Sequence, residues 1–138
     1  APFGALICFE DTMGLLARDV VRGGARWLVN QTNDAWFDPS VQSEQHLAHA
    51  VFRCVENRVP MVRSCNTGVT AIIDAYGRVE RRLEPRQSGF LVGTVRPALA
   101  DRAPTVYTAA GERFARVVLA GGVVSFLLLG VALRRRSR

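Results

Sequence analysis

GALICFEDTMGLLARDVVRGGARWLVNQTNDAWF, residues 4–37, is the stretch on which the fold turns. Leu6 to Phe9 is a short apolar run that reads as a strand. Met13 to Arg22 follows with helical spacing, and either Asp11 or Thr12 stands where an N-cap belongs. Trp27 to Gln31 is a second strand. A strand, a helix and a strand in about thirty residues is the unit from which parallel α/β sheets are built.

The pattern continues on the carboxyl-terminal side. From Ser43 to Asn57, the residues Leu47, Ala50, Val51, Cys54 and Val55 recur at three- and four-residue spacing, an amphipathic helix that closes before Pro60. Four β-rich runs come next: Met61 to Cys65, Val69 to Asp74, Val79 to Leu83 and Phe90 to Val95. Ala75 to Arg78 is the turn between the second and third of these. The expected class is therefore α/β, with one domain over residues 1–96. Residues 97–113 contain two prolines and no clear period, and they read as a linker. The strand-like run begins almost at residue 1, with no initiator Met and no leader, so the expected start lies inside a domain.

Val117 to Leu133 is an uninterrupted run of 17 apolar or small residues. As a helix it would measure about 26 Å at roughly 1.5 Å per residue, against a hydrocarbon core of about 30 Å. The expectation is one membrane-spanning helix over residues 114–133, then a basic tail over 134–138. Arg134, Arg135, Arg136 and Arg138 outnumber Arg113 and Arg116, which places the tail in the cytoplasm and the domain on the outer face.

The net charge of +6 and pI near 10.5 raise the question of nucleic acid. Four arginines sit in the terminal tail and the others lie beside acids, a distribution that disfavours a nucleic-acid partner. All 18 Lys-plus-Arg residues are arginine, so the chain has no lysine. Three cysteines without a CxxC pair indicate neither a disulfide framework nor a zinc knuckle. His46 and His49 lie three apart on the expected helix without a third ligand, so no metal is expected. Cys54 and Cys65 read as core residues, and Arg63, inside a strand, reads as the partner of a buried carboxylate, Glu56 or an upstream acid.

Cys8 ends a strand and precedes Phe9-Glu10-Asp11 and a helix. A sharp strand-to-helix turn there exposes the sulfur and lets backbone N–H groups favour the thiolate. Together with Gly4, Cys8-Phe9-Glu10 and Asn33-Asp34-Ala35-Trp36-Phe37 resemble the nucleophile region of the nitrilase superfamily. They are closest to its membrane-embedded branch, the apolipoprotein N-acyltransferases. Gln45-His46, Arg53, Glu56, Arg58, Arg63-Ser64 and Asn66 to Ala71 continue the resemblance in order.

That resemblance implies part of a four-layer αββα nitrilase-like sandwich in a bacterial inner-membrane enzyme. It implies transfer of an acyl chain from a phospholipid, through a thioester on Cys8, to the N-terminal amine of a diacylated apolipoprotein, with no cofactor. Glu10 then orients the base or the incoming amine, or else holds loop N–H groups or an arginine. Phe9 offers its backbone N–H to an oxyanion, Trp36 and Phe37 border a lipid entrance or simply pack, and Asn33 supports the loop. The base and cation of the family are a Glu and a Lys ahead of the cysteine, which this chain does not contain, so it is expected to be inactive alone. A nitrilase-type amidase and an inactive membrane-anchored α/β module are the alternatives.

Overall fold

The computed structural model describes residues 1–37 and 40–136, and the side chains at 114, 130–132 and 134–136 fall outside that description. Five strands form one sheet: β1 (Gly4–Ile7), β2 (Leu28–Asn33), β3 (Met61–Asn66), β4 (Thr70–Ile73) and β5 (Val79–Leu83), in spatial order one to five. The first three are parallel and the last two antiparallel. The crossovers are α1 (Gly14–Arg22) and α2 (Gln42–Asn57). Two crossovers of one hand that step in one direction put both helices on the same face.

That face holds the core. Leu6, Leu28, Met61 and Ile73 pack beneath Ala17, Leu47, Ala50 and Cys54, all buried. Gly4 lets α1 close on β1, since a Cβ there would fall 2.0 Å from Val20 Cγ1. The strand period of two sends Ala5, Ile7, Gln31 and Ser64 to the opposite, exposed face.

The parallel register aligns chemistry in rows. Leu6 pairs with Asn30 and Asn30 with Arg63, and the next row on the same face pairs Thr32 with Cys65. One further step along β1 sets Cys8 beside Thr32.

Several expectations are corrected. Phe90 to Val95 forms no strand. Gly93 presses against the Ile72 side chain and the Arg81 guanidinium donates to Val92 O at 2.9 Å, so the segment lies across the sheet and not along its edge. Neither Asp11 nor Thr12 caps α1. Its N-cap is Met13 without a side-chain bond, because Asp11 is buried elsewhere and the Thr12 hydroxyl turns back to Phe9 O.

Residues 97–113 are also more than a connection. They contain α3 (Val106–Ala110), whose N-cap Thr105 accepts from Thr108 N–H and donates to Glu56 O. Arg102 donates to Asn57 O, and Arg18 donates to Tyr107 O, Thr108 O and Ala109 O.

A single helix, α4 (Arg113–Arg136), follows. Among the described residues no helix is long and apolar enough to cross a membrane, so the expected span is not supported. Gly121, Gly122 and Ser125 dilute the apolar stretch of α4, and Arg113 and Arg116 stand in its first turn. The basic tail carries no described side chain, so its charge-based orientation lies outside the described residues.

Candidate active site

Cys8 opens a tight turn (Cys8–Thr12) at the carboxyl end of β1 and has φ 51°, a left-handed conformation rare for a residue with a side chain. That backbone turns the thiol out of the strand, and it is half-buried. Its pKa is lowered, first by a hydrogen bond from the Thr32 hydroxyl. The Asn33 and Phe9 N–H groups and the charge of His46 add to this against the opposing effect of burial. That environment favours the thiolate, the form in which a cysteine can act as a nucleophile.

Beneath the turn lies a closed ionic cluster. Asp11, Asp34, His46 and Arg63 are all less than 5% exposed. His46 Nδ1 is 2.8 Å from Asp34 Oδ1 and its Nε2 is 2.8 Å from Asp11 Oδ1. Arg63 takes the other oxygens, with Nη1 2.5 Å from Asp11 Oδ2 and Nη2 3.2 Å from Asp34 Oδ2. Nη1 also donates to Asn30 Oδ1 at 2.9 Å and Nε to Val69 O at 3.3 Å. The Asn30 amide in turn donates to Cys8 O at 3.1 Å, so the cluster grips the backbone of Cys8.

Two carboxylates face one guanidinium and one imidazole, and charge balances when the ring is protonated. Burial opposes that, but the hydrogen bonds to Asp11 and Asp34 prevail and the His46 pKa is raised. With both ring nitrogens engaged, His46 has no free site for a metal.

The other expected residues fall around this centre. Glu10 Oε2 accepts from Ile7 N–H at 2.7 Å, which closes the turn. Asn33 Oδ1 accepts from Ala35 N–H and the Asn66 amide. Trp36 is exposed, whereas Phe37 is half-buried with its ring edge-on to His46. Phe9, Phe37, Gln42, Gln45, His46 and His49 line a cleft of about 130 Å³ beside Cys8's turn. The larger hollows, of about 530 and 440 Å³, lie by the β4–β5 turn and beneath residues 98–109.

Some assignments change. Arg63 pairs with Asp11 and Asp34 and not with Glu56, which bonds Arg53 at 2.9 Å. Cys65 is only half-buried, and its thiol, pushed up to about 11 by burial and by Asp34, donates to Asn66 O. Cys54 is fully buried, with its pKa raised by the same loss of water. Sequence reasoning passed over Asp11, Thr32 and His46 as parts of one site. The usable signal was an Arg inside an apolar strand, which demands buried acids nearby.

Residues 1–105 match the carbon-nitrogen hydrolase family. The chain belongs to that family. An apolipoprotein N-acyltransferase of Geobacter metallireducens is 43% identical over 134 residues, 97% of this chain and 25% of that protein. That of Rhodopseudomonas palustris is 37% identical over 137 residues, covering 98% and 24%. The chain thus spans about a quarter of the length of these curated relatives. The crystal structure of a carbon-nitrogen hydrolase from Helicobacter pylori G27 superposes with a TM-score of 0.54 at 12% identity, over 61% of this chain and 36% of that one. That likeness shows the nitrilase-like fold.

Proposed function

We propose that this chain is part of an N-acyltransferase in which Cys8 carries the acyl group. The observation that carries the reading is a half-exposed thiol with a lowered pKa, at a left-handed turn of a carbon-nitrogen hydrolase domain. The names of the relatives supply the substrate class.

In the first half-reaction the Cys8 thiolate attacks an ester carbonyl of a phospholipid. The C–O bond breaks, and the lysophospholipid oxygen leaves with the proton that a base had taken from the thiol. In the second, the N-terminal amine of a diacylated apolipoprotein attacks the thioester. The C–S bond breaks, the amine loses a proton and the thiolate is restored. Covalent division of the reaction replaces one difficult step by two easier ones. The Phe9 N–H, already directed at the sulfur, is proposed to serve the oxyanion of both tetrahedral states.

Base and cation are proposed to come from polypeptide outside these residues. The chain has no lysine, Asp11 and Asp34 are held by Arg63, and Glu10 closes its own turn. The 138 residues alone are accordingly expected to be inactive. Glu10 is assigned the part of holding the turn on which Cys8 stands. The cleft by Phe9 and Phe37, with exposed Trp36 near it, is assigned to the approach of lipid. Exposed apolar side chains along α4, among them Leu119, Phe126 and Leu128, suit contact with a bacterial membrane.

The test is intact-mass analysis of the full-length protein in phospholipid vesicles, with and without hydroxylamine. One hydroxylamine-labile acyl group on the Cys8 peptide is expected, absent in Cys8→Ala along with lipoprotein N-acylation. Normal N-acylation by Cys8→Ala would refute the proposal.

A further inference from the structure

Asn30 stands between the buried cluster and the turn that carries Cys8. It is fully buried on β2, in register with Leu6 on β1 and Arg63 on β3. Its Oδ1 accepts from Arg63 Nη1 at 2.9 Å. A guanidinium has only donors, so the amide oxygen must face it and the NH2 group must face β1. There the two N–H bonds go to two carbonyls, Leu6 O at 3.3 Å and Cys8 O at 3.1 Å. The oxygen and both donors are thus engaged, and the amide has one orientation.

The second of those carbonyls belongs to the residue with the unusual backbone. Cys8 has φ 51°, a conformation that persists in a residue with a side chain only where the surroundings enforce it. The Cys8–Phe9 peptide is a planar unit whose C=O and N–H point in opposite directions. With Cys8 O drawn inward onto Asn30, the Phe9 N–H is turned away from the core. The carbonyl through which a tight turn would engage that N–H, Leu6 O three residues earlier, is occupied by Asn30 instead.

We propose that Asn30 is a positioning residue for acyl transfer: by holding Cys8 O it keeps the nucleophile in its left-handed turn and presents the Phe9 N–H to the oxyanion. When the thiolate adds to the ester carbonyl, the C=O electron pair moves onto oxygen, and the N–H of the residue after a nucleophile is well placed to donate to it. Collapse re-forms the C=O and expels the lysophospholipid oxygen, which takes the proton removed from the thiol. Arg63 acts at one remove, by fixing which way the Asn30 amide faces. This role rests on the assignment of Cys8 as acyl carrier and adds to it the group that orients the oxyanion donor.

Two reactions of the same sulfur, compared in the full-length protein, test the role. Thioester formation from phospholipid vesicles, without lipoprotein acceptor, passes through an oxyanion. Alkylation by iodoacetamide displaces iodide at a saturated carbon and forms none. A variant that only alters the ionisation or exposure of Cys8 changes both rates together, whereas loss of the oxyanion donor slows acylation alone. Asn30→Asp keeps the shape and an oxygen for Arg63 but replaces both N–H donors. Asn30→Leu removes the donors without adding charge. Both rates are followed by mass spectrometry of the Cys8 peptide, and alkylation of Cys54, a fully buried thiol, reports whether the fold has opened.

In each variant that keeps Cys54 protected, acylation should fall about a hundredfold further than alkylation, the effect of a displaced oxyanion donor. Rates that fall in step, or acylation that does not fall, would overturn the role of Asn30 and leave Cys8 as acyl carrier intact. If both variants expose Cys54, the structure of the acylated parent decides. An acyl oxygen within hydrogen-bond reach of Phe9 N, with Cys8 O still on Asn30, is expected, and an acyl oxygen turned elsewhere overturns the role. A parent that forms no thioester would sink the acyl-transfer reading and the role of Asn30 with it.

Discussion

Arg63 shows what a single residue imposes on its surroundings. It is fully buried in β3, the middle strand of the sheet, where an unpaired guanidinium would be intolerable, and four acceptors converge on it: Asp11, Asp34, Asn30 and Val69 O. Replacing it by Met leaves two carboxylates with one imidazole between them. Breaking such a buried set from one side costs about 3–5 kcal/mol. Urea denaturation of Arg63→Met should show a loss of that order or no cooperative transition, and a variant as stable as the parent would mean that the cluster is incidental. A second residue, Gly68, sets the spacing of the same site. A Cβ there would sit 2.3 Å from Asp34 Oδ2 and 2.7 Å from Cys65 Sγ, so Gly68→Ala should displace Asp34 and slow alkylation of Cys8. Cys8 itself was legible from its place between a strand and a helix. The partners of Arg63 were not, because Asp11 and Asp34 lie 52 and 29 positions away in sequence and meet it only through strand register.

At the scale of elements, period and turn chemistry specify the first half of the chain and say less about the second. β1, α1, β2, α2 and β3 carry apolar residues at spacings of two or of three and four, and each bound was readable to within a residue or two. Phe90 to Val95 is equally β-rich, yet Gly93 lets it lie against Ile72, a choice made by the surface it meets. The segment from Ala98 to Gly111 has no period, because what orders it is side chains that bridge it to other elements: Arg18 and Arg26 reach into it, and its own Arg102 reaches out to Asn57 O. Thr105 is the point where this segment is fastened: its hydroxyl caps α3 and donates to Glu56 O at the end of α2. Thr105→Val keeps the shape and deletes both bonds, and a lost cap is worth roughly 0.5–2 kcal/mol. The expected result is a loss of that size in the urea midpoint, with faster amide exchange over residues 105–111. Unchanged exchange there would show that Arg18 and Arg102 hold the segment unaided.

For the whole molecule, the protonation of His46 ties stability to pH. Its pKa is raised from 6.5 in the fold by the bonds to Asp11 and Asp34, despite burial. A raised basic group stabilises the fold fully below its unfolded value, and that contribution drains away as pH climbs from 6.5 through the folded value. Two other groups titrate on either side. Glu56, raised from 4.5 by burial, also removes stability as pH rises, but from a lower starting point. Cys8, lowered from 9.0 with Thr32 as first cause, acts in the opposite sense, adding stability as pH rises from its folded value towards 9.0. The raw slope therefore mixes three groups, and the informative quantity is the difference between Cys8→Ala and Cys8→Ala with His46→Gln, each unfolded by urea from pH 5.5 to 9 at constant salt. That difference should be largest at the acid end and shrink above pH 6.5, because only the histidine gains from its proton. A gap that instead widens with pH would mean that the ring enters the fold neutral. One carboxylate oxygen would then face a bare nitrogen, and the charge balance of the cluster would have to be redrawn.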